Sequence, residues 1–186
     1  MSQAPVGLII LDGWGVRGEA SFNAPALART PHFDAMMERF PTARLAASGV
    51  DVGLPEGQIG NSEVGHLNIG SGRVVMQTLP RITAAFARGE AAENRAILDF
   101  VAEAKAGTGR VHLLGLLSPR GVHAHQDHLG QLASLLSGHG LDVRVHAFTD
   151  GRDVPPTTLP DDLQAFRRAY PGVKIASLQG RYWAMD

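Results

Sequence analysis

The sequence predicts an α/β fold in which parallel sheets lie between layers of helices. The first observation is alternation: from residue 79 onward two helical segments precede three apolar strands, with an amphipathic helix after each of the first two strands. Strands alternating with helices of about ten residues imply a parallel, three-layer sheet. The second observation is an apolar content of 44% over 186 residues, which is enough to bury a core.

Each element rests on a local pattern. The apolar run 6–11 ends in Asp-Gly and predicts a buried strand, and residues 43–48 predict a second one. Thr30 and Pro31 are typical of a helix start, so a helix is expected through about Phe40. Further helices are expected at 79–88, 94–105, 127–136 and 161–170, and strands at 111–117, 143–148 and 173–178.

Composition excludes several classes of function. The chain has 17 Lys and Arg and 18 Asp and Glu, and its basic residues form no stripe. This argues against nucleic acid or an anionic membrane as the main partner. The absence of cysteine excludes disulfides, thiolate nucleophiles and Cys-ligated zinc. There is no apolar run of membrane-spanning length and no signal-peptide pattern at the start. A soluble cytoplasmic protein is expected.

Three loops follow predicted strands, where parallel sheets carry their active sites. The first contains Asp12 and a G-x-G-x-x-G pattern at 13–18. That pattern suggests a dinucleotide site, but Pro25 stands where the required helix would run. Asp12 is then either a metal ligand or a residue that caps a turn.

The second loop contains the sequence His123-Ala-His125-Gln-Asp127-His128. It fits the H-x-H-x-D-H pattern of dinuclear zinc hydrolases, so a metallo-hydrolase is one alternative. The other is that one histidine acts while the rest cap or line the following helix. The N-terminal half lacks the short alternating strands with which that hydrolase fold begins.

Two further segments contain candidate catalytic groups. Ser62 lies in a glycine-rich segment before a short helix, where it is either a nucleophile or a helix cap. In the third loop, Arg152 offers a phosphate clamp beside Asp153, a candidate general acid or base; the alternative is a surface ion pair. Arg181 follows the next strand and is expected at the same edge of the sheet.

Together these segments resemble the cofactor-independent phosphoglycerate mutases. The matching stretches occur in the family's order and cover essentially the whole chain. They are LIILDGWG at 8–15, GQIGNSEVGHLNIG at 57–70, GVHAHQDHL at 121–129, HAFTDGRDVPP at 146–156 and GRYWAMD at 180–186. In this context the H-x-H-x-D-H match is coincidental.

The resemblance implies a two-domain isomerase of the alkaline phosphatase superfamily. Residues 1–76 would be the first piece of a split phosphatase-like metal domain, and 77–186 the first part of an inserted phosphotransferase domain. The reaction would interconvert 2- and 3-phosphoglycerate in glycolysis through phosphorylated Ser62, without 2,3-bisphosphoglycerate. Two divalent metals are implied, with manganese expected and with Asp12 and Ser62 as ligands.

The same resemblance implies that His123, Arg152, Asp153 and Arg181 contact the substrate, with Asp153 moving the proton between the two glycerate hydroxyls. It also implies a monomer. Because the sequence ends directly after a predicted strand and family members are more than twice as long, a truncated chain is expected. Alone it is expected to be inactive and to fold poorly over 1–76. A different phosphomutase or phosphatase of that superfamily, and a non-catalytic truncated product, are the remaining alternatives.

Overall fold

The computed structural model describes residues 4–186, which divide into two units. The first unit contains the described residues up to Val52 together with Glu56–Val75. The second contains Gly53–Pro55 and Met76–Asp186.

The first unit is helical where it is regular. Its helices are α1 (Ala24–Leu27), α2 (Pro31–Arg39) and α3 (Ser62–Ser71), with a 3₁₀ turn at Gly49–Val52. Helix α2 begins and ends close to where the sequence predicts. Pro31 occupies its first turn, where a missing N–H costs no hydrogen bond.

The two strands predicted in this unit do not form, and that part of the prediction was wrong. Residues 6–11 and 43–48 adopt irregular backbone and are largely exposed, Ile9 by 86% and Leu45 by 88%. A strand requires backbone hydrogen bonds to a neighbour, and within residues 4–186 neither segment pairs with another. An apolar run alone therefore does not make a strand here.

The second unit contains the sheet. Its helices are α4 (Thr78–Ala87), α5 (Glu90–Glu93), α6 (Arg95–Ala106), α7 (Gln126–Gly138), α8 (Leu159–Ala169) and α9 (Arg181–Ala184). Its strands are β1 (Arg110–Leu117), β2 (Asp142–Thr149) and β3 (Ile175–Gly180). Helix α9, one turn that directly follows β3, was not predicted.

The sheet confirms the predicted parallel α/β fold. The strand order is β1-β2-β3, both pairings are parallel, and the register aligns Leu117 with Thr149 and Thr149 with Gly180. All three strands therefore end at the same edge of the sheet. The residues that follow them are Ser118, Asp150 and Arg181.

Helices α6, α7 and α8 pack on one face of this sheet. A single buried cluster joins α6, α7 and α8 to the strands: Val101, Val111, Leu117, Ala133, Leu136, Leu141, Val143, Val145, Ala147 and Phe166. The other face is open over part of its length: Leu114 is 66% exposed and His112 Nδ1 lies 2.9 Å from His146 Nε2, whereas Leu116 near the end of β1 is 3% exposed. Of the three layers expected, the described residues supply the sheet and one helical layer.

This asymmetry gives a stability prediction on strand β1. Leu117 is 1% exposed and Leu114 is 66% exposed on the opposite face. Leu117→Ala should lower the free energy of unfolding by about 2–5 kcal/mol, because it leaves a cavity in the core. Leu114→Ala, the matched control, should lower it by less than about 1 kcal/mol. Urea unfolding followed by circular dichroism measures both, and equal losses would contradict the assignment of faces.

Candidate functional site

Ser62 is the first residue of helix α3 but not its cap. The cap is Asn61, whose side-chain oxygen accepts a hydrogen bond from the Val64 N–H at 3.0 Å. Val64 is buried and anchors the first turn. The capping alternative for Ser62 therefore does not hold, and its hydroxyl is left for other contacts at the positive end of the helix dipole.

That hydroxyl donates to Asp12. Ser62 Oγ lies 2.7 Å from Asp12 Oδ2, so two of the predicted site residues, 50 positions apart, meet within the first unit. Asp12 lies in a turn closed by the Trp14 N–H and the Leu11 carbonyl at 3.2 Å. Gly13 adopts a φ of +75°, which a residue with a side chain rarely adopts. The turn thus presents the Asp12 carboxylate to Ser62.

His66 is a third member of this cluster that the sequence analysis did not select. Its Nδ1 lies 2.8 Å from the Ser62 carbonyl oxygen and 3.2 Å from Ser62 Oγ. Because a carbonyl only accepts, Nδ1 carries the proton in this arrangement. The spacing in the sequence could have indicated this contact, because Ser62 and His66 are four residues apart and such side chains lie on the same face of a helix.

Gly60 explains part of the glycine-rich segment. A Cβ at this position would lie 1.8 Å from the Ala47 carbonyl oxygen, closer than any real contact. The backbone before α3 therefore passes directly against the 47–48 backbone. Only glycine permits this approach, which fixes the entry of the chain into the helix that carries Ser62.

The second unit has its own polar cluster at the carboxyl edge of the sheet, centred on Arg181. The Arg181 Nη1 donates to Asp150 Oδ1 at 3.0 Å and to Asp153 Oδ2 at 2.8 Å. Its Nε and Nη2 donate to the two oxygens of Asp186 at 2.9 and 3.0 Å. Its side chain is 5% exposed. Three carboxylates therefore surround one buried guanidinium.

Electrostatics within this cluster favour the charged forms. Hydrogen bonds that Arg181 donates, to Asp186 first and then to Asp153 and Asp150, raise the pKa of Arg181. Burial opposes ionisation of Asp150, but hydrogen bonds from Ser118, two backbone N–H groups and Arg181 hold its pKa well below its usual range. The pKa of Asp186 is also lowered, chiefly by Arg181. Asp150, Asp186 and Arg181 are thus ionised at neutral pH.

The two remaining predicted residues lie at the open side of this cluster. His123 Nε2 is 3.8 Å from Asp153 Oδ2, and its side chain is 51% exposed. Arg152 Nη1 is 3.7 Å from Asp186 Oδ2, and its side chain is 71% exposed. The structure therefore brings together all four residues predicted for substrate contact, with Arg152 and His123 facing solvent and Arg181 enclosed.

The other members of the H-x-H-x-D-H segment turn to separate partners. His125 Nδ1 accepts the Asp127 N–H at 3.2 Å and caps helix α7. His128 Nε2 lies 2.8 Å from Thr83 Oγ1 on α4. Over residues 4–186 no group of three or more His, Asp or Glu side chains is arranged to hold a metal. This geometry matches the interpretation in which these histidines cap and line a helix.

Comparison with known proteins identifies the family. The family model described as "BPG-independent PGAM N-terminus" matches residues 82–186, more than half of the chain. The chain belongs to the BPG-independent phosphoglycerate mutase family. Its resemblance to that family is confirmed, and the metallo-hydrolase alternative is not favoured.

Individual mutases agree with this membership. The chain is 55% identical over 183 residues to the 2,3-bisphosphoglycerate-independent phosphoglycerate mutase of Gluconobacter oxydans and 53% identical over 186 residues to that of Rhodopseudomonas palustris. These alignments cover 98% and 100% of this chain. They cover 36% and 37% of the two relatives, so the chain spans little more than a third of their length.

A solved mutase structure has the same fold. A crystal structure of Leishmania mexicana phosphoglycerate mutase at low cobalt concentration matches with a TM-score of 0.58 and 32% sequence identity. The match covers 84% of this chain and 30% of that mutase chain.

Within residues 4–186, no helix is long and apolar enough to cross a membrane.

The charge arrangement around Arg181 gives a pH-dependent prediction. Arg181→Ala should lower the free energy of unfolding by about 3 kcal/mol at pH 7, because it leaves carboxylates without their buried counter-charge. The lowered carboxylate pKa values stabilise the fold above their unfolded value of about 3.9, and this stabilisation is lost as the pH falls through the folded values. The difference between wild type and variant should therefore shrink below about pH 4.

Arg144→Ala serves as the matched control. Arg144 pairs with Asp142 at 3.1 Å on a part-exposed surface, so its loss should cost less than about 1 kcal/mol. Urea unfolding from pH 3 to 8 compares the variants. A pH-independent loss for Arg181→Ala would contradict the ionised cluster described above.

Proposed function

We propose that the protein carrying this chain interconverts 2-phosphoglycerate and 3-phosphoglycerate through a phosphorylated Ser62. The observation that supports this most directly is the Ser62 hydroxyl at the start of α3, hydrogen-bonded to Asp12 at 2.7 Å. A nucleophilic serine needs a group that takes its proton and a positive field that receives the phosphoryl oxygens. Asp12 and the N-terminal turn of α3 provide these two features.

The proposed reaction balances in two transfers. In the first, Ser62 Oγ loses its proton and bonds to phosphorus while the bond from phosphorus to the glycerate oxygen breaks; that oxygen leaves as a hydroxyl after taking a proton. In the second, the other glycerate hydroxyl gives up its proton and its oxygen bonds to phosphorus, while the bond from phosphorus to Ser62 Oγ breaks and that Oγ takes a proton again. The result is isomerisation, with no 2,3-bisphosphoglycerate required.

We propose that the cluster around Arg181 in the second unit binds the glycerate part of the substrate. Asp153 is proposed as the group that moves a proton between the two glycerate hydroxyls, since its carboxylate is within 3.8 Å of the solvent-facing His123. Arg152 is the exposed guanidinium of the cluster and suits a phosphate or carboxylate. Substrate contact by His123 and Arg181 remains a prediction, and for Arg181 most donors are engaged by carboxylates.

The family implies two divalent metals, and the donor chemistry on this chain fits part of one site. Asp12 and Ser62 provide two oxygen atoms 2.7 Å apart, the ligand type that a hard divalent cation such as manganese accepts. A catalytic site normally has at least three protein ligands, so these two would hold a metal only together with others. When bound, the metal would lower the pKa of the serine hydroxyl.

The wider setting is proposed on the same basis. Residues 1–76 are assigned to the first piece of a phosphatase-like metal domain and 77–186 to the first part of an inserted phosphotransferase domain, in a cytoplasmic monomer of the alkaline phosphatase superfamily that acts in glycolysis. Because the relatives are almost three times as long, we expect no turnover from the 186-residue chain by itself. A non-catalytic product is the competing outcome.

Ser62→Ala in the complete protein tests the nucleophile. Removing the hydroxyl should reduce turnover of 3-phosphoglycerate by at least about a thousandfold and abolish phosphorylation of the protein. Ser71→Ala at the other end of α3 is the control and should retain both. Turnover is measured by product formation and phosphorylation by intact mass. Phosphoserine in the Ser62→Ala variant, or its normal turnover, would eliminate Ser62 as the nucleophile.

Chelation tests the metal assignment. Removing divalent cations should abolish turnover, and added Mn²⁺ should restore it. Asp12→Asn should raise the Mn²⁺ concentration needed by about a hundredfold, because a charged oxygen ligand is lost. Asp34→Asn, in the same unit and hydrogen-bonded to Thr30 at 2.9 Å, should leave that concentration unchanged. Full activity after exhaustive chelation would refute the metal requirement.

A further inference from the structure

Asp150 is the most enclosed carboxylate of the cluster around Arg181, yet it was not among the predicted site residues. It follows strand β2 directly, and its side chain is 1% exposed. Asp153 and Asp186 are 15% and 25% exposed in comparison. A carboxylate this well buried is removed from solvent and can act only through its protein neighbours.

One of its oxygens organises the turn that follows. Asp150 Oδ1 accepts the N–H of Gly151 at 2.9 Å, of Arg152 at 3.0 Å and of Asp153 at 3.0 Å. Gly151 has a φ of +123°, a conformation that residues with side chains rarely adopt. The backbone positions of Arg152 and Asp153, the two residues proposed to handle substrate, are therefore set by this single carboxylate.

The same oxygen also holds the partner of the Asp153 side chain. Arg181 Nη1 lies 3.0 Å from Asp150 Oδ1 and 2.8 Å from Asp153 Oδ2. Asp153 is thus fixed twice: its N–H donates to Asp150, and its carboxylate accepts from the guanidinium that Asp150 binds. Charge-assisted bonds of this kind are shorter and stronger than neutral ones, so the geometry is well defined.

We propose that Asp150 is a positioning residue for the mutase reaction, acting through Arg181 and the 150–153 turn to orient the Asp153 carboxylate. This inference rests on the proposed function and adds to it the residue that aligns the proton-transfer group. Asp150 does not contact substrate. Misplacement of a catalytic group by about 1 Å can reduce the rate by about a hundredfold, so an aligning residue should have a measurable effect on kcat.

Two substitutions distinguish the bonds that Asp150 makes to the backbone from the bond that it makes to Arg181. In Asp150→Asn the amide oxygen still accepts the backbone N–H groups, but the charge that holds Arg181 is lost. In Asp150→Ala both are lost. The matched control is Asp142→Asn at the other end of β2, where Asp142 likewise pairs with several cations, namely Arg110, Arg144 and Lys174, all within 3.1 Å.

Steady-state kinetics on the complete protein provide the first measurement. We expect Asp150→Asn to lower kcat by about tenfold to a hundredfold with KM changed less than about threefold, since the turn is kept and only the alignment of Asp153 is lost. Asp150→Ala should lower kcat and raise KM as well. Asp142→Asn should leave both unchanged. Wild-type kinetics in Asp150→Asn, or an equal loss in Asp142→Asn, would overturn the proposal.

Chemical labelling of Arg181 provides a measurement that does not depend on turnover. Phenylglyoxal modifies accessible arginines, and mass spectrometry of peptides locates the modified residue. Asp150→Asn should increase the labelling rate of Arg181 by about tenfold, because the loss of one anchor raises the population of the open side chain. Asp142→Asn should not change it. Unchanged labelling in Asp150→Asn would overturn the proposal whatever the kinetics show.

The two measurements also separate this proposal from the function on which it rests. A complete wild-type protein without mutase turnover would refute the proposed function, and labelling would then decide whether Asp150 positions Arg181. An Asp150→Asn variant that is unfolded by circular dichroism, beside a folded Asp142→Asn, would make Asp150 a residue of general stability. That result would overturn the positioning role.

Discussion

The constraint on which the second unit depends is the register of its parallel sheet. Leu117, Thr149 and Gly180 align across three strands, so the chain leaves all of them at one edge. Because all strands of a parallel sheet run in the same direction, the residues that follow them lie at the same edge of the sheet. Helices on one face hold that register through a single core, and the polar cluster is a consequence of it.

Charge compensation is the second requirement. A buried carboxylate or guanidinium is tolerated only when it is paired and hydrogen-bonded. Around Arg181 this condition is met by three acidic side chains, and the buried Asp150 Oδ1 accepts four donors. The other two members of the cluster, Arg152 and His123, have exposed side chains. The cluster thus contains enclosed residues, whose hydrogen bonds fix the arrangement of the loop, and exposed residues at its surface.

Sequence patterns predicted the second unit better than the first. Alternating strands and helices specify a parallel sheet, because amphipathic periodicity records which side each residue buries. The strands predicted at 6–11 and 43–48 do not form, because apolar content does not reveal whether a strand has a neighbour to pair with. Asp12 and Ser62 were both selected from the sequence and are hydrogen-bonded in the structure, yet His66 and Asp150 were missed. Their roles depend on hydrogen bonds within a turn or on one helix face, which residue type alone does not indicate.

The cluster around Arg181 has a consequence for the order in which the chain can mature. Asp150 precedes its guanidinium partner by 31 residues, and Asp186 follows that partner by five. During synthesis, Asp150 is therefore made 31 residues before Arg181. Burying its carboxylate without that guanidinium is unfavourable, because an unpaired buried charge is costly. The 150–153 loop is therefore expected to reach its final geometry only once β3 and the turn after it are in place.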